Sequence, residues 1–90
     1  MRVSVPADVV VRDLSGEVVL LHMGTKTYFG LDAVGTRIWH LLAEHGSVEA
    51  IVPFMLQEFQ VEEHLLRRDI DALLVRLVTK GLLLPGLDSD

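Results

Sequence analysis

Val18-Val19-Leu20-Leu21-His22-Met23-Gly24-Thr25-Lys26-Thr27-Tyr28-Phe29-Gly30-Leu31 is the stretch whose reading decides the fold. Val18 to Met23 form an apolar, partly β-branched run, Gly24, Thr25 and Lys26 punctuate it, and Thr27, Tyr28 and Phe29 resume residues suited to an extended chain. The stretch therefore reads as strand, tight turn and strand. Its last strand, Thr27 to Leu31, carries neither proline nor successive charges, two of the devices by which natural sheets blunt an edge. It is expected to be an unpaired edge, open to a partner peptide that completes the sheet. Tyr28 and Phe29 point to opposite faces of such a strand, so one belongs to the core and only the other can touch a peptide or solvent.

Upstream, Val9, Val10, Val11, Arg12, Asp13 and Leu14 form a first clear strand, and Ser15 with Gly16 makes a short turn into Glu17. Three strands in a row give an antiparallel meander, which needs an apolar layer on one face to be stable. Met1 to Ala7, with Val3 and Val5 alternating before Pro6, suits a short leading strand or an extended arm. Downstream, Asp32 is placed to cap a helix carrying Val34, Ile38, Trp39, Leu41 and Leu42 and stopped by Gly46. Trp39 reads as core. Ser47 is placed to cap a second helix with Val48, Ile51, Val52, Met55, Leu56 and Phe59, but Pro53 lies too deep in it for the first-turn exemption, so a kink or a shorter helix is expected.

A third helix is expected from about Glu62 to Lys80, with Gly81 as its stop and Pro85 beyond. At about 100° per residue, Leu66, Ile70, Leu73, Leu74 and Leu77 form one stripe facing a core. Leu65, Asp69, Arg76 and Lys80 lie on the flank beside Leu73; Arg67, Asp71 and Val78 lie on the other. The mixed flank fits a helix bordering a groove and equally a helix with solvated shoulders. Leu82 to Leu84 are apolar and suited to pack back on the core, and Gly86 to Asp90 are expected to fray.

Ninety residues make a single domain, half of it apolar and just under a quarter charged. Without cysteine there is no disulfide, thiolate zinc site or thiol nucleophile, and the composition fits a reducing cytoplasm. No apolar run approaches the roughly 20 residues of a membrane span, and no signal-peptide pattern opens the chain. A net charge of −5 argues against nucleic acid as a partner. His22, His40, His45 and His64 are scattered, and His40 with Glu44 and His45 lacks the spacing of a zinc helix. No serine sits in a nucleophile elbow, and Gly24-Thr25-Lys26-Thr27 lacks the first glycine and the residue order of a phosphate loop. No catalytic residue, cofactor or metal is assigned, and no enzymatic activity is expected. A sheet with three helices also fits a winged-helix DNA-binding protein. Arg67 and Arg68 would be its groove contacts, yet Glu62, Glu63, Asp69 and Asp71 share that helix.

The ordered string Val19-Leu20-Leu21, Gly24-Thr25-Lys26-Thr27-Tyr28-Phe29-Gly30-Leu31-Asp32 and Val34-Gly35-Thr36-Arg37-Ile38-Trp39 resembles the PqqD-like proteins, also called RiPP recognition elements. Asp69-Ile70, Leu73, Leu77 and Lys80-Gly81-Leu82 look like that family's closing helix, and the resemblance spans roughly Pro6 to Leu84. Asp32 stands where asparagine is common, and both residues can cap a helix. The resemblance implies a winged-helix-like α+β fold, a three-stranded antiparallel sheet followed by three α-helices, as one peptide-binding domain with an ordered core from about residue 6 to 84. It further implies binding of the leader segment of a ribosomally made precursor peptide, added as an antiparallel strand to the last strand of the sheet and lying against the third helix. Carried over residue by residue, Thr27, Tyr28, Phe29, Gly30 and Leu31 would form the pairing edge, and Leu65, Asp69, Ala72, Leu73 and Arg76 the helix side.

The lone domain, with no linker, and the Gly24–Leu31 motif look most like the free-standing leader-binding proteins of lasso-peptide pathways, which work with a separate leader-cleaving cysteine protease. Such a leader would carry an aromatic residue and a proline as anchors, suited to an apolar cleft lined by Leu65 and Leu73. The runner-up is a PqqD-type peptide chaperone serving a radical enzyme. An unpaired edge leaves both a monomer and a strand-exchanged dimer open.

Overall fold

The computed structural model describes residues 2–86; the expected fraying from Gly86 onward falls, apart from Gly86 itself, outside the described residues. The order is β1 (Val3–Ser4), β2 (Val9–Leu14), β3 (Glu17–His22), β4 (Thr27–Gly30), α1 (Ala33–His45), α2 (Val48–Glu58), α3 (Glu63–Thr79) and β5 (Leu84–Pro85). β2, β3 and β4 form an antiparallel sheet in that order, so β4 is an edge. The expected α+β architecture of meander followed by three helices is present.

Two turns set the register. Ser15 and Gly16 both have positive φ, at 57° and 87°, as a type I′ hairpin turn requires, and Asp13 accepts a hydrogen bond from the Gly16 N–H. In the second turn the His22 Nδ1 accepts from the Gly24 and Thr25 N–H groups at 3.1 and 3.2 Å, while Lys26 takes φ 60°. One of the four scattered histidines is thereby accounted for as a turn-former. The pairing puts Leu20 opposite Phe29 on the inner face and Leu21 opposite Tyr28 on the outer.

Val18 and Leu20 of the sheet share one buried cluster with Ile38, Trp39 and Leu41 of α1, Ile51 and Met55 of α2, and Ile70, Leu74 and Leu77 of α3. Asp32 caps α1 by accepting from the Gly35 N–H at 2.8 Å, and Gly46, in the left-handed region at φ 74°, ends it. Thr36 is a buried polar side chain beside that core. Its hydroxyl accepts from the Val18 N–H at 2.9 Å and donates to the Leu31 carbonyl at 3.4 Å, bridging the ends of β3 and β4. Thr36→Val keeps the shape and strands both backbone groups. It is expected to lower the unfolding free energy by about 1–3 kcal/mol in urea titrations.

Four local expectations differ. Ser47 stands at the N-cap of α2, but its hydroxyl bonds the Glu49 carboxylate at 3.1 Å and caps no N–H. α2 continues through Pro53, with no break at the proline. Pro53 lies on the exposed face of the helix. α3 is one residue shorter at each end than expected, and Leu31 follows β4 while still donating to the Val18 carbonyl. The leading residues prove to be a strand: β1 pairs antiparallel with β5, Val3 opposite Pro85, and the Gly86 N–H donates to the Arg2 carbonyl at 2.6 Å. Leu82 and Leu83 are buried as expected, and Leu84 turns outward into the ribbon.

Candidate functional site

The phase of the β3–β4 ladder decides which main-chain groups are available. The Leu31 N–H donates to the Val18 carbonyl at 2.8 Å, and antiparallel ladders alternate, so Thr27, Phe29 and Leu31 turn their N–H and C=O groups toward β3. Tyr28 and Gly30 therefore direct theirs at the open edge.

Below that edge runs a cleft of about 430 Å³, walled by Phe29, Gly30 and Leu31, by Asp32, Val34, Gly35 and Ile38 at the start of α1, and by Asp69, Leu73 and Arg76 of α3. The fold builds it because α1 begins directly after the edge strand while the Leu73 flank of α3 faces the same space. Leu73 is half-buried, unlike Leu66, Ile70, Leu74 and Leu77 of the same stripe, which are buried. Phe29 is also half-buried, and the Arg76 guanidinium lies over its ring, 4.8 Å from the centroid. A second cavity of about 470 Å³ adjoins the cleft through the shared Val34, Ile38 and Asp69, and extends past Met55, Phe59, Val61 and Leu65.

The expected site residues divide accordingly. Phe29, Gly30, Leu31, Asp69, Leu73 and Arg76 come together in the cleft, and Leu65 lines the adjoining cavity. Tyr28 offers its backbone to the edge, but its side chain stands on the outer face, 73% exposed, in a row with Leu21 and Val10. Thr27 closes the turn, its hydroxyl bonded to that of Thr25 at 3.0 Å. Ala72 is exposed and lines neither cavity. Four cleft residues, Asp32, Val34, Gly35 and Ile38, come from the α1 start that the sequence reading gave only to cap and core. Their position immediately after the edge strand is the signal that could have found them.

Arg37 clamps α1 to the end of α2 through a two-pronged pair with Glu58, at 2.7 and 2.5 Å. This pair holds the Glu58 carboxyl below and the Arg37 guanidinium above its ordinary range. It also fixes the start of the 59–61 segment that walls the second cavity. Arg67 is engaged by Glu63 at 2.9 Å, and His45 stacks on Phe54 with ring centroids 4.8 Å apart. Among the described residues, no group of three or more His, Asp and Glu side chains could hold a metal ion, and no helix is long and apolar enough to cross a membrane.

Fold and cleft define a class of small winged-helix-like α+β domains with an open sheet edge beside their last helix. Within it the chain belongs to the PqqD family, whose sequence model, described as coenzyme PQQ synthesis protein D, matches residues 17–83. Among solved structures it is similar to TbiB1 in complex with the TbiA(beta) leader peptide. That match has 44% identity and a TM-score of 0.87, covering 94% of this chain and 99% of that one. It is also similar to a lasso peptide synthetase B1 complexed with the leader peptide, at 26% identity and TM-score 0.85, covering 94% and 100% of the two chains. No curated protein matches the chain.

Proposed function

We propose that this protein binds the leader segment of a lasso-type precursor peptide and presents it to a separate leader-cleaving cysteine protease. The observation that carries the reading is the pair of outward-facing backbone sets at Tyr28 and Gly30, set directly above a cleft with apolar and charged walls. An added strand would bond those groups and send alternate side chains into the cleft, the mode in which backbone gives affinity and pockets give specificity. Thr27 to Leu31 would supply the edge. Leu65, Asp69, Leu73 and Arg76 would meet the leader's side chains, with Ala72 at the rim of the contact. The leader complexes of TbiB1 and of the lasso synthetase B1 support the same assignment. Antiparallel addition is favoured because every pair in the sheet is antiparallel and parallel pairing is weaker per residue.

The protein works by binding alone, as a single domain, and the cysteine-free composition suits the reducing cytoplasm in which precursors are made. The test is fluorescence anisotropy with synthetic leaders from small open reading frames beside the gene, with the TbiA(beta) leader as a second probe. The expected dissociation constant is in the micromolar to nanomolar range, with loss of binding for scrambled peptides. A folded protein that binds intact and scrambled leaders alike would overturn the reading. The PqqD family match motivates one further probe, the PQQ precursor peptide, expected to bind more weakly than the cognate leader.

A further inference from the structure

The helix wall of the cleft carries charge of opposite sign at its two ends. Asp69 lines both cavities. Arg76 follows seven residues on, about 10 Å along the α3 axis, and Lys80 comes about 6 Å beyond. Arg76 and Lys80 both lie over the Phe29 ring, at 4.8 and 6.0 Å from its centroid. Asp32, at the mouth of the same cleft, adds to the negative end. Among the described residues, Asp69, Arg76 and Lys80 have no ion-pair partner. They are therefore available to a ligand.

The direction of β4 along this gradient follows from its contacts. Phe29 meets Arg76 and Lys80, and His22, paired with Thr27, lies against Gly81 just beyond α3. Leu31 and Asp32 share the cleft with Asp69, and Val34 reaches the N-terminal half of α3 near Leu65. β4 thus runs antiparallel to α3. A strand added antiparallel to β4 runs parallel to α3, so its N-terminal part passes Asp69 and its C-terminal part passes Arg76 and Lys80. Side chains on one face of a strand recur every second residue, and four residues span about 13 Å. That span matches the distance of about 13 Å from Asp69 to the midpoint of Arg76 and Lys80.

Resting on the leader-binding reading, we propose that the cleft selects its peptide by charge order. A basic residue faces Asp69, and an acidic residue four positions later faces Arg76 and Lys80. The arrangement does more than attract opposite charge: a peptide of the same composition with the two residues exchanged meets repulsion at both ends. Charge order thereby fixes the register, which main-chain bonds alone leave open, and reinforces the antiparallel direction that they favour.

The test is selection of a random 15-residue peptide library displayed on mRNA against the full chain, retaining binders whose affinity falls on Tyr28→Pro. Selected peptides are expected to carry Lys or Arg four positions before Asp or Glu. Exchanging those two residues in the best binder should weaken it by at least about tenfold. The triple variant Asp69→Lys, Arg76→Glu, Lys80→Glu should prefer the exchanged peptide. Edge-dependent binders with no charge order, or with the opposite order, would overturn charge selection while leaving leader binding intact. Absence of any edge-dependent binder would overturn both.

Discussion

Replacing Tyr28 with proline is expected to weaken leader binding by at least about tenfold without unfolding the protein. The ladder that holds β4 to β3 uses the main-chain groups of Phe29 and Leu31, and the Tyr28 N–H points the other way. Proline removes that outward donor and pulls φ away from the extended value, so an added strand loses one bond and its fit to the neighbouring ones. A proline whose missing N–H faces solvent is tolerated on an edge strand. Tyr28→Ala is the informative partner, since the side chain stands on the outer sheet face, away from the cleft. It should change affinity by less than about threefold, within the spread of ordinary surface substitutions. Circular dichroism establishes folding and anisotropy reads the affinity. A folded proline variant with unchanged affinity would reject the edge as the docking element.

Trp39→Ala is expected to cost about 3–5 kcal/mol, a large share of the roughly 5–15 kcal/mol that holds a small domain together. Trp39 is 2% exposed and sits on α1 beside Leu42, with Val3 and Leu83 bordering the same small depression. Truncation therefore loosens the helix and both end segments at once. Urea titration followed by circular dichroism should show a much lower midpoint, with the slope little changed. At low temperature the remaining folded fraction should still bind leader peptide, because the ring lies outside the cleft. A loss under about 1 kcal/mol combined with weakened binding would instead make Trp39 a contact residue.

What the sequence disclosed follows the range of the forces involved. The hairpin, the Asp32 cap and the Gly46 stop depend on groups within a few residues of one another, and each stands where local chemistry placed it. The α3 stripe was legible because one helical face repeats at a fixed angle, and its half-buried member, Leu73, marks where core gives way to cleft. Pairing of β1 with β5 was not legible. Two residues at each end have no period of their own, and they meet across almost the whole chain. The roles of Val34 and Ile38 were hidden for a related reason: periodicity identifies an apolar residue without naming the surface it covers. Ala72 was taken from a family pattern, and its exposure places it beside the cleft rather than in it. At Pro53 the helix runs on to Glu58 and is not cut short; the proline falls on the exposed face, which a rule for helix-interior positions does not consider.

The ribbon of β1 and β5 has a consequence for architecture. Val3 faces Pro85, and the Gly86 N–H reaches the Arg2 carbonyl, so the path from residue 2 to residue 86 returns to within one hydrogen bond of its start. A unit of this shape can be spliced into a loop of a host protein as a single excursion, leaving and re-entering at nearly the same point and asking little displacement of the host. The same adjacency lets a short tether from Gly86 to Arg2 close residues 2–86 into a ring, with new termini opened at the exposed Ser15-Gly16 turn. Either rearrangement leaves the order β2-β3-β4 unaltered, so the module is portable between polypeptides without redesign of the surface that would grip its ligand.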